Sequence, residues 1–338
     1  MLSKQIPGFD ILKFIMAIGI VGVHCHLCQA VCLVNNFLGG VISGYHSLCV
    51  PGFFIVSSYL FFRKCWNQGF KNSNMSFVRF MKRMSSIYLF YFILLSPIII
   101  INRGWFFMGL EQGLYTFFLD ILLRYTYPGS WFLSALMVSV TTVWICGRYI
   151  KTYWLLGPLW ILFLYVYNIE LFPKELQDGF VWYEQHVRTM KLSFPAALFP
   201  VCLGSVLAHP KVQKMIDKMI PYNFLVLLFT IALFTGYCVC DSIGLKVVLL
   251  TFVFVYFRNL QLRGGHIYIR LREYSILFFM WHFIVLEIIK VILHKKEQDF
   301  DMFGIWIFLI VLLAIFAIST IILFLENKKI FKWLKFSH

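Results

Sequence analysis

An aspartate, a lysine and a histidine share one stripe of the first hydrophobic segment: Asp10, Lys13 and His24. On a helix, the eleven residues from Lys13 to His24 return to within roughly 20° of the same face and advance ~16 Å along the axis. A cation at one rim and an imidazole deep in a bilayer would therefore face one groove, with Asp10 close to the same line. Ionisable side chains at such depth are costly and often mark a substrate or proton path. An imidazole titrates near neutral pH, which suits it to take a proton from a hydroxyl. A rim salt bridge plus a histidine bonded to a neighbouring helix fits the same spacing, so both readings stay open at this point.

Other groups invite chemistry less strongly. His24, Cys25, His26, Cys28 and Cys32 lie close together, with the three cysteines on a helical stripe. Thiolate and imidazole suit zinc, yet a tetrahedral site needs turns that fold around the ion, and one straight helix rarely supplies them. No metal is expected. Nine cysteines is an odd number and most lie inside apolar runs, which argues against a disulfide framework. Pro51-Gly52 can break a helix beside a cavity, and Ser57 and Ser58 permit close helix packing. Arg79, Lys82 and Arg83 share a helical face at spacings of three and four. Trp131 opens a later apolar run after the turn residues Pro128-Gly129-Ser130, and His282 places a second imidazole inside another.

The elements that carry these residues must be membrane helices. Hydrophobic residues make up 61% of 338 positions and charged ones 13%, more apolar surface than one soluble core could hide. Mean hydropathy is +0.81, in the same direction. The expectation is an all-α, polytopic integral membrane bundle forming a single domain over residues 1–338. About ten spans are expected, at 11–31, 42–62, 85–101, 131–150, 154–172, 194–208, 224–239, 245–257, 275–293 and 303–325. The stretch 110–125 reads as an interfacial helix or an eleventh span, and Glu111, Asp120 and Arg124 favour the interface. The first segment lacks a cleavage site and reads as a retained span.

The formal net charge of +15 follows from basic loops held on the cytoplasmic side. With both termini inside, that side receives roughly two thirds of all Lys and Arg, and the loops at 173–191 and 295–301 on the other face are more acidic. The protein is thus expected in the cell (inner or plasma) membrane. No soluble basic domain supports nucleic-acid binding. The tail at 327–338 is basic and aromatic, as an inner-leaflet anchor would be.

Taken together, these segments resemble the acyltransferase-3 family of membrane acyltransferases, which includes O-acetyltransferases of bacterial surface polysaccharides. The family's first helix carries an aspartate, then a basic residue, ten intervening residues and a histidine; Asp10 and Lys13-x10-His24 fit, with Lys where Arg is commoner. Phe53-Phe54-Ile55-Val56-Ser57-Ser58-Tyr59-Leu60 is similar to its Phe-Phe-x-x-Ser-Gly-Tyr/Phe-Leu run, with Ser58 replacing Gly. Trp131-Phe132-Leu133 matches its Trp-Phe-Leu motif. Ser275 through His282 matches its Ser-x-x-x-Tyr-x-x-His motif, with Phe279 in the aromatic place. In the basic motif before the third span, Ser86 and Leu89 stand where a second Arg and a Pro are common. The fused extracytoplasmic hydrolase-like domain that often accompanies the family is not seen in this sequence.

The resemblance implies transfer of an acyl group, acetyl first, from a coenzyme A thioester to a hydroxyl of a glycan or lipid-linked sugar. Lys13, Arg83, Arg79 and Lys82 would meet the donor's phosphates. His24 would act as general base, with Asp10 orienting or neutralising Lys13. His282 would line the cavity or polarise the thioester carbonyl, and Ser57 and Trp131 would line the substrate cavity. The rival reading is a transporter or flippase, since buried ionisable groups also mark transport paths, but no inverted repeat is visible. A purely structural scaffold would explain neither the His24 stripe nor the order of the motifs.

Overall fold

The computed structural model describes residues 5–122, 124–127, 129–187, 189–293 and 304–338. Lys4, Pro128 and the acidic loop at 295–301 lie outside the described residues. The described residues hold fifteen α-helices joined by short turns. The first six are α1 (Pro7–His24), α2 (Leu27–Cys32), α3 (Asn36–Gln68), α4 (Asn74–Leu94), α5 (Ser96–Arg103) and α6 (Leu110–Leu122). Then follow α7 (Ser130–Gly147), α8 (Leu156–Tyr167), α9 (Lys174–His186), α10 (Phe194–Leu207) and α11 (Pro210–Lys218). The last four are α12 (Asn223–Cys240), α13 (Ile243–Arg258), α14 (His266–Ile292) and α15 (Ile305–Leu325).

The protein is an all-α, multi-span membrane bundle. Six of the described helices are long and apolar enough to cross a membrane, or up to eight if each of two bent pairs is one span. Each of the ten apolar segments in the sequence falls on a helix, but several are too short or too bent to count singly. α13 has 16 residues and α8 has 12, against the ~20 that span a hydrocarbon core. The segment at 85–101 is broken by a 76° bend at Leu95, where Pro97 opens the next helix. α10 turns by 72° into α11. α6 has 13 residues, shorter than the candidate membrane-crossing helices.

The first span differs from a straight helix over 11–31. Pro7 starts α1 at a position where its missing N–H is not needed. The helix stops at His24. The Cys25 N–H still bonds to the Val21 carbonyl at 3.0 Å, but His26 turns left-handed with φ 53°. That conformation is uncommon for a residue with a Cβ. Cys25 therefore sits in the turn while Cys28 and Cys32 lie on α2, so the three thiols do not form one helical stripe. All nine cysteines are free. α3 runs through Pro51-Gly52 as one 33-residue helix rather than ending there.

The chain divides into two units. One comprises Met1–Val56 and Lys214–Phe336, the other Ser57–Gln213. In the first unit α1 runs alongside α14 in the same direction, with Phe14 on Phe278 at 5.4 Å and His24 on His282 at 5.1 Å. α13 runs the opposite way, with Phe9 against Phe254 at 4.9 Å. A Cβ at Gly8 would lie 1.8 Å from the Phe257 carbonyl oxygen, so only glycine lets these two backbones approach so closely. In the second unit Phe77 stacks on Trp144 at 4.1 Å, and the Trp144 Nε1–H donates to Ser73 Oγ at 2.8 Å. The Tyr59 hydroxyl donates to Gln213 Oε1 at 2.7 Å, tying the start of that unit to its end.

Candidate active site

The far end of α1 brings two histidines together. His24 is the last helical residue and half-buried; His282, in the middle of α14, is fully buried. Their ring centroids are 5.1 Å apart with planes inclined by 32°. The Phe283 ring lies 4.3 Å from His24 and 4.1 Å from His282, covering both. His282 Nδ1 is 3.0 Å from the Phe278 carbonyl oxygen one turn earlier. Its Nε2 is buried and has no hydrogen-bond partner.

The near end of α1 holds the charges. Asp10 is buried and accepts a hydrogen bond from Gln5 Nε2 at 3.0 Å. Its neighbouring positive charges are Arg272 of α14 and Lys13. Lys13 is half-buried, one turn after Asp10. The eleven-residue offset between Lys13 and His24 lies wholly within unbroken helix, so the ~16 Å separation along one face holds.

The other expected site residues belong to the second unit. Arg79, Lys82 and Arg83 are all exposed on α4. Ser57 is half-buried, while its neighbour Ser58 is fully buried. Trp131 is half-buried in the first turn of α7, its ring 6.4 Å from that of Phe132.

Two further residues of the first unit escaped the sequence reading. His46 of α3 packs against Gly22: a Cβ there would lie 2.8 Å from His46 Nε2, only two residues before His24. Nothing local in the sequence signals that approach, because it depends on α3 doubling back on α1. Lys246 is buried in the first turns of α13. Its signal was available, as a lone lysine inside an apolar run. Among the described residues no three His, Cys, Asp or Glu side chains converge as metal ligands would.

Membrane-length helices that enclose a histidine pair at one end of a stripe and a buried aspartate at the other define an integral membrane protein with a polar interior. The acyltransferase domain model matches residues 6–324, nearly the whole chain and both of its units. The chain belongs to the acyltransferase-3 family, and that membership supports membrane acyl transfer rather than transport. No curated protein and no solved structure matches it.

Proposed function

We propose that the chain moves an acyl group, acetyl first, from a cytoplasmic coenzyme A thioester to a hydroxyl of a surface glycan or lipid-linked sugar. The observation that carries this reading is the imidazole pair His24–His282, closing the stripe that begins at Asp10 and Lys13 in a chain of this family. His24 takes the proton of the acceptor hydroxyl. The oxygen attacks the thioester carbonyl, the C–S bond breaks, and the leaving thiolate takes the proton. Lys13 meets the donor's phosphates, and Asp10 sets the position of Lys13.

One functional domain covers the chain, in keeping with a match that runs through both units. About ten crossings, an even number, would return both termini to the cytoplasm, the side that the Lys and Arg distribution favours. In this arrangement the protein works in the cell's inner or plasma membrane, among its lipids, and needs no nucleic acid or metal.

Mass spectrometry of cell-surface glycan, from cells with and without the protein, tests the reaction class. Loss of an acetyl mass is expected, and an unchanged glycan would count against the proposal. His24→Ala should insert and fold normally yet lose ~10²–10⁴-fold in transfer, the scale of general-base catalysis. His24→Gln keeps hydrogen-bonding capacity without a titrating nitrogen and should be nearly as inactive. Near wild-type turnover in a well-folded His24→Gln protein would sink the base assignment.

A further inference from the structure

We propose that His282 is a positioning residue that fixes the tautomer of His24 by accepting its ring N–H. The inference rests on His24 being the base. It begins with the two nitrogens of His282, which are in unlike surroundings. Nδ1 is 3.0 Å from the Phe278 carbonyl oxygen, and a carbonyl only accepts, so Nδ1 carries the proton. In the neutral ring Nε2 then holds a lone pair and nothing to donate. That lone pair is buried without a partner. Buried acceptors are rarely left so, and one beside a reacting group calls for a donor.

Three rings pack against His282: Phe279 at 6.0 Å, Phe283 at 4.1 Å and His24 at 5.1 Å. Of these, only His24 has a ring N–H to give. Ring nitrogens lie on the rim of the imidazole, so an N–H···N bond of about 2.9 Å fits between centroids at this separation after a small rotation of His24. The Phe283 ring, packed on both histidines, limits that rotation and shields the bond from water.

The consequence is directional. With its N–H turned toward His282, His24 presents its other nitrogen, as a lone pair, away from α14. That nitrogen takes the acceptor's proton. The imidazolium formed on His24 is then held by a hydrogen bond whose donor is charged, which strengthens it as the transition state is approached. The base is thus oriented by a third group, the usual logic of an activated hydroxyl. His282 neither gains nor loses a proton. The acceptor O–H and the thioester C–S bonds break, the ester C–O bond forms, and His24 passes the proton to the leaving sulfur. A direct role for His282 in polarising the thioester carbonyl would require a proton on Nε2, which this tautomer lacks.

The test uses full-length protein in nanodiscs with acetyl-CoA and total membrane glycan from cells lacking the protein. His282→Phe should lower kcat by about 10²-fold, leave the KM for acetyl-CoA unchanged and leave the unfolding midpoint in place. His282→Gln, whose carbonyl oxygen can accept where Nε2 does, should keep most of the activity. In a His24→Ala background, His282→Phe should cause no further loss, because it acts only through His24. Wild-type kcat in His282→Phe, or losses that multiply in the double variant, would overturn the proposal. Full activity in His24→Ala would instead overturn the base assignment itself, so the two failures are distinct. Should His282→Phe fail to fold, ¹⁵N-histidine NMR of the wild type decides. A proton on His282 Nδ1 and N–N coupling to His24 across a hydrogen bond are expected; a proton on His282 Nε2 would refute the inference.

Discussion

Asp120 and His282 are both cut off from solvent, at 1% and 0% exposure, yet their surroundings differ in kind. The Asp120 carboxylate, in the second unit, accepts from Trp105 Nε1 at 2.9 Å and has Arg103 at 3.9 Å and Arg124 at 3.7 Å. Those arginines are spoken for in turn: Arg103 donates to the Tyr125 and Thr126 carbonyls, and Arg124 to the His186 and Val187 carbonyls. One carboxylate thereby ties α6 to the loops before α7 and after α9. His282, in the first unit, has one nitrogen bonded and the other buried with no partner, and its ring packs 5.1 Å from that of His24. Asp120 also keeps one oxygen, Oδ1, without a hydrogen bond, but two guanidiniums balance its charge, and a buried carboxylate held in this way fixes the chain in place. A neutral imidazole with one bare ring nitrogen is instead available for chemistry.

The largest expected effect on stability comes from breaking the charge cluster at Asp120. Asp120→Ala leaves the Trp105 N–H without its acceptor and two guanidiniums without their shared anion. Breaking a buried pair typically costs 3–5 kcal/mol, and the partial exposure of both arginines places this loss near about 3 kcal/mol. Thermal unfolding in detergent would measure it. Turnover per folded molecule should be unchanged. Lost turnover in a fully stable Asp120→Ala protein would break the contrast with His282.

What could be read from the sequence follows the range of the interactions. The α1 stripe was legible because helical periodicity alone relates Asp10, Lys13 and His24, and the helix proves continuous from Pro7 to His24. The end of that helix was not. It uses a left-handed histidine at His26, with no proline or glycine to announce it. The bend at Leu95 had its signal in Pro97, but within an apolar run that reads as continuous. α13 and α8 read as spans by composition, while their lengths are set by where neighbouring turns close. The histidine pair itself needed the fold: nothing between residues 24 and 282 predicts that α1 and α14 run side by side in one direction. The shell of Asp120 is also tertiary, so Glu111, Asp120 and Arg124, read together as interfacial charges, gave no hint that Asp120 is buried.

A smaller effect should separate the two ends of α1. If Lys13 contacts the donor's phosphates, its removal should act on binding, whereas changes at the histidine end act on turnover. A hydrogen bond to a charged group contributes about 1.5–3 kcal/mol, so Lys13→Ala should raise the KM for acetyl-CoA by about tenfold or more with kcat largely kept. Lys13→Arg should recover most of it, since guanidinium also binds phosphate. Kinetics in reconstituted membranes would show this. An unchanged KM would remove Lys13 from the donor site and leave it as a counter-charge to Asp10 alone.

The smallest effect concerns a second buried carboxylate held by ion pairs, beyond the end of α15. Glu326 is buried, with Arg270 at 3.7 Å and His338 Nε2 at 3.1 Å. Burial first, and then repulsion from Glu273, hold its carboxyl above the ordinary glutamate range; Lys335 and Arg270 offset part of this. A raised acid binds its proton more tightly in the folded state than in the unfolded one. Between the unfolded value, about 4.3, and its own raised value, folding therefore takes up a proton, and stability falls as pH rises through that window. Glu326→Gln stays neutral throughout, so its unfolding midpoint should decline less than that of the wild type over the same pH rise. Turnover at a fixed pH should not change. A wild-type midpoint that climbed relative to the variant across the window would mean that the pairs with Arg270 and His338 outweigh burial at this carboxylate.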